Sequence, residues 1–268
     1  LNSQWIVLSK RILGVWASEE NLLWTQRTSE GALANGNSGL NEGAPPKRAI
    51  RSFVLRQGRL TEAQEKALNE QWDVLGLEYL GQPKDFSEVF GRSAPLVLEI
   101  GFGNGEVLVH SAQHEPGRDH VGIEVHRPGV GRALRELNAL GCGNARIYRH
   151  DAVEVLEHEI ADALLSEIRV FFPDPWHKKR HQKRRLIQAP LVDLLARKLK
   201  LGGVLHLATD WHDYAVQMLE VCEAEAKLCN LAGPKQYSER PSTRLLTHFE
   251  KRGARLGHGV WDLLYRRQ

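Results

Sequence analysis

The sequence predicts an α/β protein: a mostly parallel sheet with helices on both faces. Three observations lead there. From residue 96 onward, short apolar runs alternate with helical stretches, which is the pattern of successive strand-helix-strand units. A glycine-rich turn, Gly101-Phe102-Gly103-Asn104-Gly105, follows the first run and opens a helix. Acids stand where the first strands end: Glu99, Glu124 and Asp151.

The elements follow in order. Leu96 to Ile100 is a buried strand, and Glu106 to His114 its helix. His120 to Glu124 is a second strand, with a helix from Gly131 to Leu140. Ala145 to His150 is a third, with a helix from Ala152 to about Leu165. Ile168 to Phe172 is a fourth, followed by a helix from Arg185 to Leu199. Val204 to Ala208 is a fifth, with a helix from Tyr214 to about Ala226, and Val260 to Tyr265 is a further strand. Ahead of the sheet, Thr61 is an N-cap for a helix reaching about Trp72.

Residues 1–45 read as an extension without a catalytic role, flexible where Gly, Asn, Ser and Ala dominate between Thr28 and Pro46. Residues 46–268 form the working domain, which opens on a basic arm of Lys47, Arg48, Arg51, Arg56 and Arg59. Three cysteines without a metal or disulfide spacing predict free thiols in a reducing cytoplasm. No stretch is long and apolar enough to span a membrane. The formal charge is only +3, but six Lys or Arg and no acid lie from His177 to Arg185. That clustering points to nucleic acid. Composition does not choose between a monomer and a homodimer.

The glycine turn brings backbone amides close to a ligand. Its spacing is G-x-G-x-G, not the G-x-G-x-x-G of dinucleotide enzymes. Glu99, just before Gly101, would repel a pyrophosphate but attract a cationic amino group or sulfonium. Glu124 ends the second strand, where an acid suits the two hydroxyls of a ribose. Asp151 ends the third, where it can accept from an adenine amino group. Together with Gly101, Gly103 and Gly105 these acids describe a cationic adenosine ligand, S-adenosylmethionine. Read singly, each acid is also a helix N-cap or first-turn acid.

The run Phe171-Phe172-Pro173-Asp174-Pro175-Trp176-His177-Lys178-Lys179-Arg180-His181 ends the fourth strand. Two prolines fix φ and remove two donors, so Asp174 sits on a rigid loop at the edge where open α/β sheets bind ligands. An acid there, beside an aromatic and a basic stretch, suits a polyanion that carries a base. The plainer alternative is a proline-capped turn before a solvated basic helix. Other readings stay open on these features alone: a nicotinamide dehydrogenase, a non-catalytic RNA-binding module, and a zinc site from His177 and His181 that lacks a third ligand.

From about Arg48 to Arg266 the chain resembles the bacterial tRNA (guanine-N7)-methyltransferases. The resemblance rests on Arg51-Ser52-Phe53, Leu98-Glu99-Ile100-Gly101-Phe102-Gly103, Gly122-Ile123-Glu124-Val125-His126 and Phe172-Pro173-Asp174-Pro175-Trp176-His177-Lys178. It continues in Ala208-Thr209-Asp210-Trp211, Phe249-Glu250-Lys251-Arg252-Gly253 and Leu256-Gly257-His258-Gly259-Val260-Trp261-Asp262-Leu263. It implies a class I methyltransferase (Rossmann-like) fold with a seven-stranded sheet, one late strand antiparallel. It implies S-adenosyl-L-methionine as cofactor, tRNA as partner, and 7-methylguanosine at position 46 of the variable loop as product. Carried over by matching positions, Glu99, Glu124, Asp151 and Asp174 meet the cofactor or the methyl-transfer site, and Asp174 is the catalytic residue. Lys178, Asp210, Thr247, His248, Phe249 and Glu250 fall at the substrate, and Arg180, Lys183, Arg184 and Arg185 at RNA. His248 stands where the family carries Lys or Arg.

Overall fold

The computed structural model describes residues 58–246, Glu250 and 259–268. The extension, most of the basic arm, and Thr247, His248 and Phe249 lie outside the described residues. Helix α1, Glu62–Glu70, starts at Thr61 through a capping box: Thr61 Oγ1 accepts from the Gln64 amide, and Gln64 Oε1 accepts from the Thr61 amide at 2.9 Å. Then follow α2 (Trp72–Leu75), β1 (Gly76–Leu77) and α3 (Phe86–Phe90). The alternating section is β2 (Leu96–Ile100), α4 (Glu106–His114), β3 (Asp119–Ile123), α5 (Arg127–Ala139), β4 (Ala145–Tyr148), α6 (Ala152–His158) and β5 (Leu165–Phe171). A 3₁₀ turn over Lys179–Arg184, α7 (Ala189–Lys198), β6 (Leu199–Thr209), α8 (His212–Glu223), β7 (Leu228–Asn230) and β8 (Trp261–Arg267) complete it.

The strands form one sheet in the order β1-β4-β3-β2-β5-β6-β8-β7. Strands β1 to β6 pair in parallel, and β8 pairs antiparallel with both β6 and β7. From β2 the chain lays β3 and β4 outward on one side, then returns to lay β5 and β6 on the other. The order therefore reverses between β2 and β5. At such a reversal the connections leave in opposite directions, and a crevice opens beyond the carboxyl ends of the strands. Glu99, the glycine turn and Asp174 all belong to these two strands or the loops that follow them.

Two apolar clusters cover the sheet. One takes Leu96, Leu98 and Ile100 from β2, with Ile168 and Val170 from β5 and Leu191, Leu194 and Leu195 from α7. The period of two along β2 shows one face of the pleat. The other joins α1, α4 and α5 through Leu68, Leu108, Val109, Val130, Leu134 and Leu137. All five residues of β2 are buried, as a central parallel strand requires.

Three expectations change. The sheet has eight strands among the described residues, not seven, because Gly76–Leu77 adds a two-residue edge pairing with Ile147 and Tyr148. Two residues carry no readable periodicity. The helix expected from Arg185 to Leu199 begins only at Ala189. Pro190 sits in its first turn, where a missing N–H is harmless, whereas deeper in a helix it would break the ladder. The helix expected to reach Leu165 stops at His158. Glu159 next to it is buried, and its carboxylate accepts from the Gly81 amide at 3.0 Å, the Tyr148 hydroxyl at 2.6 Å and the Leu80 amide.

The glycine turn is wedged against α5. A Cβ at Gly129 would lie 2.0 Å from the Gly103 carbonyl oxygen, so this helix can approach the turn only without a side chain. Gly129→Ala should therefore lower unfolding free energy by about 1–3 kcal/mol. Gly117→Ala, whose Cβ meets nothing within 4 Å, should change it by less than about 0.5 kcal/mol. Urea unfolding of the two variants checks this; equal effects would contradict the close approach.

Candidate active site and cofactor pocket

The carboxyl ends of β2, β3, β4 and β5 surround one cleft of about 730 Å³. That is ample for a nucleoside-sized ligand and a base. Of the residues singled out in the sequence, Gly101, Glu124, Asp151, Asp174 and Lys178 line it. Phe172, Trp176, His177 and His181 of the run after the fourth strand line it as well, as does His126, and the structure adds His150. His150 directly precedes Asp151 and is ordered by stacking on Tyr79, with ring centroids 3.9 Å apart. Nothing local in the sequence marks that pairing, since the two residues are far apart in the chain.

Glu99 does not line the cleft. It lies in β2 between Gly122 of β3 and Arg169 of β5 and is only 4% exposed. Its carboxyl accepts no hydrogen bond from the described residues. Burial pushes its pKa up to about 7, against the opposing pull of Arg169 and with a further push from Glu124. Arg169 itself is engaged by Glu167 at 2.6 Å, the Ser111 hydroxyl at 2.6 Å and Glu115 at 3.4 Å. A buried carboxyl without a hydrogen-bond donor is costly unless a cationic ligand answers it.

Glu124 follows β3 and folds back over the glycine turn. Its Oε2 accepts from the Gly103 amide at 2.8 Å, and Oε1 accepts from Val125 at 2.7 Å and His126 at 2.9 Å. Oε1 is filled by these two amides, and Oε2 keeps a lone pair for a ribose hydroxyl. The acid thus shapes the turn and faces the cleft at once. Gly101, Gly103 and Gly105 all have positive φ, at 71°, 58° and 81°. Such a succession of left-handed residues is open only to glycine. Asp151 caps α6, its Oδ1 accepting from Val153 at 2.9 Å, so the capping reading is correct. Its second oxygen is not used by that cap.

The fit to S-adenosylmethionine rests on these observations. One acid is buried and accepts no hydrogen bond from the described residues, one borders the cleft over the glycine turn, one caps a helix beside the rim, and three of the turn's five residues carry no side chain. Anionic groups outnumber cationic ones on that side, which suits a cation and disfavours a pyrophosphate.

The other side of the cleft is the loop after β5. Phe172 and Trp176 have positive φ, 52° and 44°. For bulky residues this is strained backbone, and strain of this kind persists where surrounding structure over-determines it. The Phe172 amide donates to the Ala208 carbonyl at 2.8 Å, which carries the β5–β6 pairing one step further. Asp174 is exposed between the two prolines, and its carboxylate accepts no hydrogen bond from the described residues.

The basic run splits three ways. Lys178, Arg180 and Lys183 are exposed. Arg184 lies over the Trp176 ring, 5.1 Å from its centroid. Arg185, expected at RNA, is instead 3% exposed and paired with Asp213 at 2.6 Å, because its donors turn inward to α8. Glu250, expected at the substrate, is also buried, at 3%, with both oxygens accepting from Arg244 at 2.7 Å. Arg244 was not foreseen: it also meets Asp262 at 2.9 Å and lies beside the Phe171 and Phe172 rings. Asp210 follows β6, half-buried, on the strand next to Asp174's own. His177 and His181 pack on different tryptophans, Trp211 at 4.1 Å and Trp176 at 6.0 Å, so nothing joins them as metal ligands.

Glu99 gives a pH signature. In the ligand-free protein its raised pKa means that a proton occupies the carboxyl below about pH 7. A cationic ligand must displace that proton, so S-adenosylmethionine affinity should fall as pH drops from about 7.5 to about 5.5. Glu99→Gln should bind roughly tenfold more weakly at about pH 7.5 and lose this part of the pH dependence. Calorimetric titration of both proteins checks it. Curves that run parallel would show that Glu99 does not face the cation.

The family model described as "Putative methyltransferase" matches residues 93–263. A tRNA (guanine-N(7)-)-methyltransferase of Xanthomonas campestris pv. campestris (strain 8004) is 60% identical over 222 residues, covering 83% of this chain and 85% of the relative. The protein of the same name from Stenotrophomonas maltophilia (strain K279a) is 59% identical over 232 residues, covering 84% and 95%. That of Shewanella sp. (strain MR-4) is 54% identical over 227 residues, covering 85% and 95%. Among solved structures, a 16S rRNA methyltransferase, KamB, is similar at a TM-score of 0.49 and 15% identity, covering 73% of this chain and 99% of that one. Identity at the level of the first three, across more than four-fifths of the chain, makes this protein a member of the tRNA (guanine-N7)-methyltransferase family.

Proposed function

We propose that this protein methylates N7 of a guanosine at position 46 in the variable loop of tRNA, with S-adenosylmethionine as donor, in the cytoplasm. The observation that carries the reading is the pairing of two unlike walls in one cleft. Acids suited to a cationic adenosine face an exposed carboxylate that accepts no hydrogen bond from the described residues and is bordered by lysines and arginines. A dehydrogenase has no use for the basic border, and a plain RNA-binding module has none for Glu99, Glu124 and Asp151.

S-adenosylmethionine supplies an electrophilic methyl group on a sulfonium. The chain's own residues do the rest. Glu99 would answer the cationic end, Glu124 the ribose hydroxyls and Asp151 the adenine edge. Lys178, Arg180 and Lys183 are free to meet phosphates at the mouth of the cleft. Guanine N7 carries an in-plane lone pair and no proton at neutral pH, so its attack needs no general base. The purine gains positive charge as the bond from N7 to the methyl carbon forms and the methyl–sulfur bond breaks, its electron pair returning to sulfur to leave a neutral thioether. A fixed carboxylate near that ring stabilises the developing charge, and by accepting from guanine N–H donors it also orients the base. Asp174 is placed for both tasks.

Two outcomes test this. The protein should transfer labelled methyl to unmodified tRNA, with nuclease mapping placing the label on a single guanosine of the variable loop; label on another base or loop would refute the site. Asp174→Asn should lower kcat by about 10²–10³, the cost of losing one preorganised electrostatic partner, with much less change in S-adenosylmethionine affinity. A fully active Asp174→Asn enzyme would remove Asp174 from the mechanism.

A further inference from the structure

Arg185 closes the basic run, yet its guanidinium points away from the surface. Nε donates to the Pro175 carbonyl at 2.9 Å, Nη1 to Gln217 Oε1 at 2.7 Å and Nη2 to Asp213 Oδ2 at 2.6 Å. Its Cζ lies 4.8 Å from the centroid of the Tyr214 ring. Three nitrogens of one rigid fork thus find three acceptors, two on α8 and one on the loop that carries Asp174. The fork is itself held: the Tyr214 hydroxyl accepts from the Ile187 amide at 2.9 Å, and Gln217 Nε2 donates to the Ile187 carbonyl at 3.1 Å.

The Asp174 loop needs such an anchor. Pro173 and Pro175 have no N–H, so the loop cannot tie itself down through donors at those positions. Asp174 makes no side-chain bond of its own with the described residues. Among the described residues two backbone tethers hold it, one on each side: the Phe172 amide donates to the Ala208 carbonyl, and the Pro175 carbonyl accepts from Arg185 Nε. The first belongs to the sheet. The second depends on one side chain.

We propose that Arg185 is a positioning residue for methyl transfer, holding Asp174 at the target base through the Pro175 carbonyl and the face of α8. The inference rests on the methyl-transfer reading above. Arg185 neither touches substrate nor meets phosphate; it transmits the rigidity of α8 to a loop whose carboxylate must be placed to within about 0.5 Å.

The test compares Arg185→Ala and Arg185→Lys with the parent on unmodified tRNA. It measures kcat, KM for tRNA, S-adenosylmethionine affinity, and the salt dependence of tRNA affinity. A misplacement of about 1 Å remote from the chemistry costs up to roughly a hundredfold, so Arg185→Ala should lower kcat by roughly ten- to a hundredfold. The salt slope and S-adenosylmethionine affinity should stay unchanged. Arg185→Lys, with one donor able to reach the Pro175 carbonyl, should recover part of kcat. Retained kcat with a salt slope reduced by about 0.7–0.9 would overturn the proposal and make Arg185 a phosphate contact. Unchanged parameters throughout would overturn it too. If Arg185→Ala does not fold, Asp213→Ala serves, since Asp213 is itself 63% exposed and the Pro175 and Gln217 acceptors of Arg185 remain. That variant should lose severalfold in kcat at constant salt slope, and full activity would refute the anchor. Failure of the methyl-transfer reading is distinguishable, because the parent protein itself would then leave tRNA unlabelled.

Discussion

The site depends on one constraint: a carboxylate held in place by its backbone rather than by its own hydrogen bonds. Asp174 lies between two prolines, and the residues just outside them, Phe172 and Trp176, are both left-handed. The sheet fixes one end of the loop and α8 the other. Among the described residues nothing takes up the carboxylate's acceptor capacity, which a carboxylate engaged in a salt bridge could not offer to a ligand. It also explains why so much buried polar structure lies beneath this loop. Arg185 grips it from one side, and the Arg244, Glu250 and Asp262 group supports Phe171 and Phe172 from the other. A preorganised group stabilises charge well only if it does not relax when the charge appears.

Behind the opposite wall lies a cost that the proposed function would relieve. Glu99 has a folded-state pKa raised from 4.5 to about 7. A raised carboxyl contributes stability that is present below its unfolded pKa and lost as pH rises through the folded one. The loss amounts to about 3 kcal/mol across that window. At neutral pH the protein therefore stores instability at Glu99. In the proposed function a cationic ligand would restore the balance, and binding would be selective for positive charge. Arg169 limits the cost but donates no hydrogen bond to Glu99: its Nε, Nη1 and Nη2 donate to Glu167, Ser111 and Glu115.

The parallel sheet, the glycine turn and the strand-end acids were legible in the sequence because each is a local pattern. Apolar runs of four to seven residues separated by helical stretches leave few alternatives. A proline on each side of an acid announces a rigid loop wherever it occurs. What the sequence hid is long-range. Arg185 looks like its exposed neighbours until Asp213 and Gln217 are brought beside it from α8. Glu250 looks like a surface acid until Arg244 and Asp262 close around it. The edge strand Gly76–Leu77 is too short to carry a period, and the pairing of Tyr79 with His150 joins segments that nothing in the sequence relates. Composition reports charge, but only packing decides which charges meet solvent and which hold the frame.

The claim that Asp174 works as a fixed charge and not as a proton acceptor is tested most directly by the single-turnover rate of methyl transfer against pH, at saturating S-adenosylmethionine and tRNA. N7 has no proton to lose, so the account predicts a rate that is level from about pH 7 to about pH 9. A rate that climbs tenfold per pH unit through neutrality would show a group giving up a proton in the transition state, and would contradict the account.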